Sequence, residues 1–122
     1  MQVRSLSQLS PNDRAAVIDY VDRIRNRFTD RVRAVILFGS KARGDADAES
    51  DIDLLVLVDA ENSQFRSELW RIASDVSLDY NVVLSPRVFG EARWAETRRM
   101  RLPLYRAIVA DGVSLALERI PA

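Results

Sequence analysis

Apolar residues follow two rhythms along this chain. Val17, Ile18, Val21, Ile24 and Phe28 recur at helical spacing, which predicts an amphipathic helix. Its start is marked by Ser10, whose hydroxyl can accept from a free helix amide, and by Pro11, whose fixed φ suits the first helical position. Phe65, Leu69, Ile72 and Val76 form a second stripe and predict a helix after Asn62-Ser63. Between these stripes lie unbroken apolar runs. Ala34 to Phe38 (AVILF) ends at Gly39, and Ile52 to Val58 (IDLLVLV) is apolar on both faces beyond Asp53. Runs of this length read as buried strands, the second of them central in its sheet.

Further on, Tyr80 to Ser85 (YNVVLS) predicts a third strand that Pro86 stops. Glu91 to Arg99 predicts a short arginine-bearing helix. A last helix starts at Pro103 and ends at Gly112. The order α-β-β-α-β-α-α predicts an α/β (α+β) fold, a small mixed sheet with helices packed on one side. The 122 residues hold no internal repeat, low-complexity tract or linker. They predict one domain, residues 1–122.

Composition then narrows the chemistry. Eighteen basic residues balance eighteen acidic ones. No global field gathers nucleic acid or an anionic membrane, so direct binding to either is not expected. No apolar run is long enough to span a bilayer, and MQVRSLSQLS lacks the apolar core of a secretory signal. A cytoplasmic protein is the expectation. The absence of Cys and His removes disulfides, thiolate nucleophiles, imidazole bases and His-bound zinc. Catalysis is left with carboxylates, hydroxyls, basic groups and a hard metal ion. Glu91 to Arg106 holds five Arg and two Glu, an excess of three positive charges. That is a solvated face or a docking surface for an acidic partner or phosphate. Trp70 and Trp94 are candidate interface anchors, with partial packing the expected role of Trp70.

The stretch GSKARGDADAESDID, Gly39 to Asp53, is where that chemistry concentrates. Residues i and i+2 of a strand share a face, their Cα atoms roughly 6.5–7 Å apart. Asp51 and Asp53 therefore project together, and two such carboxylates repel unless a cation lies between them. Mg²⁺, which takes oxygen ligands and is often shared with nucleotide phosphates, fits that demand. Gly39 lets the backbone approach a phosphate closely, and the Ser40 hydroxyl can donate to it. Lys41, the only lysine in the chain, and Arg43 add positive charge on the same turn. A phosphate cradle facing a metal seat suits nucleotidyl transfer from a nucleoside triphosphate.

The stretch LFGSKARGDADAESDIDLLVLV, Leu37 to Val58, resembles the signature of the nucleotidyltransferase superfamily typified by DNA polymerase β. More narrowly, it resembles the minimal nucleotidyltransferases (MNT). Weaker similarity continues in YNVVLSP and PLYRAIVADGV. The resemblance implies ATP as donor, Mg²⁺ on Asp51 and Asp53, and triphosphate on Gly39 and Ser40. It also implies a helical HEPN ribonuclease toxin as partner. The chain would be that toxin's antitoxin, moving AMP to a toxin tyrosine. A third carboxylate is expected on the third strand of such a protein. Alignment puts Asn81 at that position, with Asp79 two residues earlier as its substitute. Asn offers a poor metal ligand and no useful base, so weak transfer is expected. The alternatives are an antitoxin that acts by binding alone and a transferase for small molecules. A homo-oligomer is compatible with the sequence.

Overall fold

The computed structural model describes residues 6–47 and 49–115. The first helix, α1, spans Pro11–Arg27, and Ser10 caps it by accepting from the Asp13 amide at 3.1 Å. Its buried face is Ala16, Val17, Tyr20, Val21 and Ile24. Ile18, expected in the stripe, faces solvent, and Tyr20 takes its place. The Tyr20 hydroxyl donates to the Leu69 carbonyl at 3.1 Å, so its burial leaves no polar atom unmatched.

Strand β1 is Val32–Phe38, β2 is Ile52–Val58, β3 is Leu84–Gly90 and β4 is Val113–Ser114. They form one sheet in the order β3-β2-β1-β4. β1 pairs antiparallel with β2 and with β4, while β2 pairs parallel with β3. The sheet is mixed and β2 is internal, as its two apolar faces require. The β1–β2 ladder is irregular between Val32 and Ala34 and regular from there to its other end, where Phe38 faces Asp53.

Between β1 and β2 lies the one-turn helix α2, Ser40–Arg43. The later helices are α3, Ser63–Tyr80, α4, Glu91–Arg99, and α5, Pro103–Asp111. Asn62 caps α3 through its side chain, which accepts from the Phe65 amide at 2.8 Å. Phe65, Leu69, Ile72 and Val76 are all buried, as their spacing predicts. With α1 they cover Val35, Leu37, Leu54, Val56 and Val58. The opposite face carries Ile36, Phe38 and Leu55 under Ile108, with Trp94, Leu104 and Ala107 packed beside them. Helices therefore stand on both faces of the sheet rather than on one. The physical reason is in β2, whose odd and even positions are both apolar and both need cover.

The third strand also departs from expectation. Residues 80–83 do not begin it: α3 runs on to Tyr80, and Asn81 ends the helix in the left-handed region at φ 54°. The helix end is tied to α1 by polar groups. The Tyr80 hydroxyl donates to Asp19 at 2.8 Å, and Arg23 bridges Asp19 and Asp79. β3 begins four residues later than expected and carries Pro86 inside it. Proline is tolerated there because β3 is an edge strand, where its missing N–H faces away from the ladder.

Candidate active site

The site grows from the connection between β1 and β2. β1 ends at Phe38, and Gly39 turns the chain at φ 79°, ψ −160°, a region essentially confined to glycine. A Cβ on Gly39 would lie 2.5 Å from Oδ2 of Asp53. The turn is therefore packed directly against that carboxylate. α2 follows at once, closed by the Arg43 amide donating to the Gly39 carbonyl at 3.1 Å, and Gly44 ends it at φ 81°. Ser40, at its head, is half-buried.

The two basic residues of the turn do not lie free for phosphate. Lys41 is buried, and its Nζ donates to Asp13 Oδ2 at 2.7 Å. It is a strut between α2 and α1. Arg43 is exposed and binds Asp45 and Asp111, each at 3.1 Å, the second lying at the end of α5. The positive charge expected on this turn is thus offset by the chain's own acids, and what the basic pair does is fix α2 from two sides. Gln8 adds a third hold by donating to the Ala42 carbonyl at 2.8 Å.

Asp51 is exposed just ahead of β2, and Asp53 is half-buried at the second position of the strand. Burial, first, and the charge of Asp51, second, hold the Asp53 carboxyl above its ordinary range, and Arg87 partly offsets them. Asp53 is thus a carboxyl whose charged form is disfavoured chiefly by its partial burial and further by a neighbouring acid. Oxygen donors in that state suit a hard divalent cation. Among the described residues no group of three or more Asp, Glu, His or Cys is placed to hold a metal. The pair would hold one ion, the other positions falling to water and ligand oxygens.

Asn81 and Asp79, the expected third-carboxylate position and its substitute, lie at the end of α3 rather than on β3. Asn81 is the exposed cap of α3, and Asp79 is the exposed partner of Arg23. Alignment of Asn81 with a third carboxylate assumes a strand from Tyr80, whereas α3 ends at Tyr80, Asn81 caps it and β3 begins at Leu84. The neighbour of Asp53 on β3 is Ser85, and Arg87 follows one pleat later opposite Leu55. Sequence reasoning missed Arg87 because Pro86 was taken to stop the strand. On β3, Leu84, Pro86 and Val88 are buried, Ser85 and Phe89 are half-buried, and Arg87 is exposed. A cleft of about 490 Å³ beside α2 is lined by Ser10, Asn12, Asp13, Lys41, Asp47 and Asn81 among others, and neither Asp51 nor Asp53 lines it. No described helix is long and apolar enough to cross a membrane.

Comparison with known proteins fits this geometry. The family model described as nucleotidyltransferase domain matches residues 19–102. Two proteins of Methanocaldococcus jannaschii, each named "putative protein adenylyltransferase", are similar to the chain. One is 44% identical over 61 residues, 49% of this chain and 62% of its own length. The other is 28% identical over 101 residues, 83% of this chain and 95% of its own length. Among solved structures, a toxin-antitoxin crystal structure with AMP-PNP aligns at TM-score 0.53 and 19% identity, covering 79% of this chain and 69% of that one. The toxin-antitoxin MntA-HepT aligns at TM-score 0.50 and 17% identity, covering 83% and 69%. At these identities the likeness is one of fold.

Proposed function

The chain belongs to the nucleotidyltransferase domain family, and from that premise we propose that it transfers AMP from ATP to a hydroxyl of a partner protein. The partner would be a HEPN toxin, the acceptor a toxin tyrosine, and the outcome neutralisation of the toxin. The observation that carries the transfer reading is the contact of the Gly39 turn with Asp53. The contact puts the Gly39 turn against the Asp53 carboxylate where β1 ends and β2 begins, an arrangement that supports phosphate on the turn and a metal on the acids. The names of the relatives and of the solved toxin-antitoxin pairs support the acceptor and the partner.

In this reading Asp51 and Asp53 hold Mg²⁺, which supplies charge neutralisation at the donor's phosphates. Gly39 admits the phosphate chain close to the backbone, and the Ser40 hydroxyl donates to it. Lys41 and Arg43 act at one remove: by tying α2 to Asp13 and Asp111 they keep the turn in place before the donor arrives. Such fixed placement removes an ordering cost from the bound state. The acceptor hydroxyl would give up its proton to water as its oxygen bonds the α-phosphorus, and the bond from that phosphorus to the α–β bridging oxygen would break to release pyrophosphate.

A second reading has one specific observation in its favour. Where a further acid would stand beside Asp53 on β3, this chain has Ser85 and then Arg87. A binding antitoxin with impaired transfer would look like this. Co-expression with the helical partner, purification of the complex and incubation with labelled ATP and Mg²⁺ separates the two. Label on the partner, lost in Asp51→Asn and Asp53→Asn, is the expected result. A stable complex without label favours the binding reading, and a chain that forms no complex overturns both.

A further inference from the structure

The described arginines near the sheet are mostly committed. Arg31 pairs with Asp59, Arg33 with Glu91, and Arg66 and Arg93 both with Glu61. Arg87 is different. It is exposed on β3 and has no ion pair or hydrogen bond among the described residues. Its place is set by the parallel β2–β3 register, which pairs Asp53 with Ser85 and Leu55 with Arg87. Registered residues of neighbouring strands share a face, so Arg87 stands on the face of Asp53, one strand across and two residues along. With strands about 4.8 Å apart and a rise of about 3.3 Å per residue, their Cα atoms are roughly 8 Å apart. A guanidinium on its long stem covers that span, and its charge is felt at Asp53. Yet it closes no ion pair with either Asp51 or Asp53.

We propose that Arg87 is a phosphate-binding residue of this site, engaging the anionic chain of a nucleoside polyphosphate from the β3 side. Asp53 lies on the central strand, with the Gly39–Ser40 turn to one side of it and Arg87 to the other. A polyphosphate carrying a divalent cation meets all three. Asp51 and Asp53 would hold its metal, the turn would take one stretch of phosphate and the guanidinium another. Arginine suits the role because its planar fork donates two parallel hydrogen bonds to phosphate oxygens. It also supplies the positive charge that Lys41 and Arg43 spend on Asp13, Asp45 and Asp111. The inference rests on the nucleotidyltransferase reading above and adds to it the residue on the third strand that holds the donor.

The test is calorimetry on the full chain with Mg²⁺ alone, Mg²⁺–ATP and Mg²⁺–tripolyphosphate. The variants are Arg87→Gln and Arg87→Lys. Arg87 is exposed, so neither substitution disturbs the core. One charge-assisted hydrogen bond corresponds to roughly ten- to a hundredfold in affinity. Arg87→Gln is expected to weaken both polyphosphates by about that factor, with Arg87→Lys between it and the parent. Binding of Mg²⁺ alone should be unchanged or tighter, because a repelling cation has gone. Equal affinity of parent and Arg87→Gln for Mg²⁺–ATP overturns this inference and leaves the transfer reading standing. Failure of the unsubstituted chain to bind Mg²⁺–ATP overturns both. Loss of Mg²⁺ binding in Arg87→Gln, in step with the polyphosphates, overturns the inference by making Arg87 a support for the carboxylates only.

Discussion

Replacing Gly39 with alanine tests the geometry of the site at its tightest point. Two costs arise. The backbone at φ 79°, ψ −160° is one that side-chain-bearing residues avoid, and holding Ala there costs about 1–3 kcal/mol. The new methyl also meets Asp53 Oδ2 at 2.5 Å, inside any real contact, and relieving such an overlap costs about 1–2 kcal/mol more. A loss of about 2–5 kcal/mol is therefore expected, out of a stability that for domains of this kind is about 5–15 kcal/mol. For a chain of this length that lowers the melting temperature by roughly 8–20 °C. Urea unfolding gives the free energy, and a double-mutant cycle with Asp53→Ala assigns it. Truncating Asp53 removes the overlap and leaves the backbone strain, so the double variant should recover about 1–2 kcal/mol relative to the additive sum. Two results would refute the reasoning. One is a Gly39→Ala protein within about 0.5 kcal/mol of the parent. The other is strict additivity with Asp53→Ala, which would mean that the turn and the carboxylate do not touch.

Two further predictions concern charge. The Asp53 carboxyl is raised above its ordinary value of 3.8, so the folded state holds that proton longer than the unfolded chain does, and stability from this group is lost as pH rises through the folded value. Without Mg²⁺, Asp53→Asn should therefore melt above the parent, by a margin that grows as pH rises from about 4. Adding Mg²⁺ should stabilise the parent and not the variant, and thermal melts across pH with and without the ion check both. The buried Lys41–Asp13 pair gives the last prediction. Lys41→Met strands a buried carboxylate and should cost about 3–5 kcal/mol in urea unfolding, whereas Lys41→Met with Asp13→Leu should recover most of it; equal losses in the two proteins would contradict the pairing.

Much of this architecture was legible because local signals and tertiary demands agree. Ser10 and Asn62 cap the helices they precede. Ile52–Val58 is a central strand because its two apolar faces leave it no other place. The closeness of Gly39 to Asp53 follows from the end of one apolar run and the start of the next. What was not legible depended on contacts distant in sequence. The Tyr80 to Val83 segment has strand-like residues, but its helical end is secured by Asp19 and Arg23, some sixty positions away. Lys41 looks like a phosphate ligand until Asp13 is seen beneath it. Pro86 ends a strand in most contexts and is spared here only because β3 lies at the sheet edge, a fact of topology. Arg87 was hidden by the same residue. The two-residue β4 has too little sequence to announce itself, and it pairs with Ile36 and Leu37.

The antiparallel ladder between β1 and β2 has a consequence for what errors this chain can tolerate. Phe38 faces Asp53, while Leu37 faces Leu54 in the layer beneath α1 and α3. A slip of one residue in β2 would exchange the faces. Asp53 would then be driven into an apolar interior, and Leu54 would be left beside Gly39. Misalignment is thus punished twice, by a charge in the core and by the loss of the contact between Asp53 and the Gly39 turn. The one irregularity in the ladder lies between Val32 and Ala34, at the far end from Gly39. Slack in the pairing is taken up there, so the same hydrophobic register that folds the sheet also acts as the gauge that sets Asp53 against the turn.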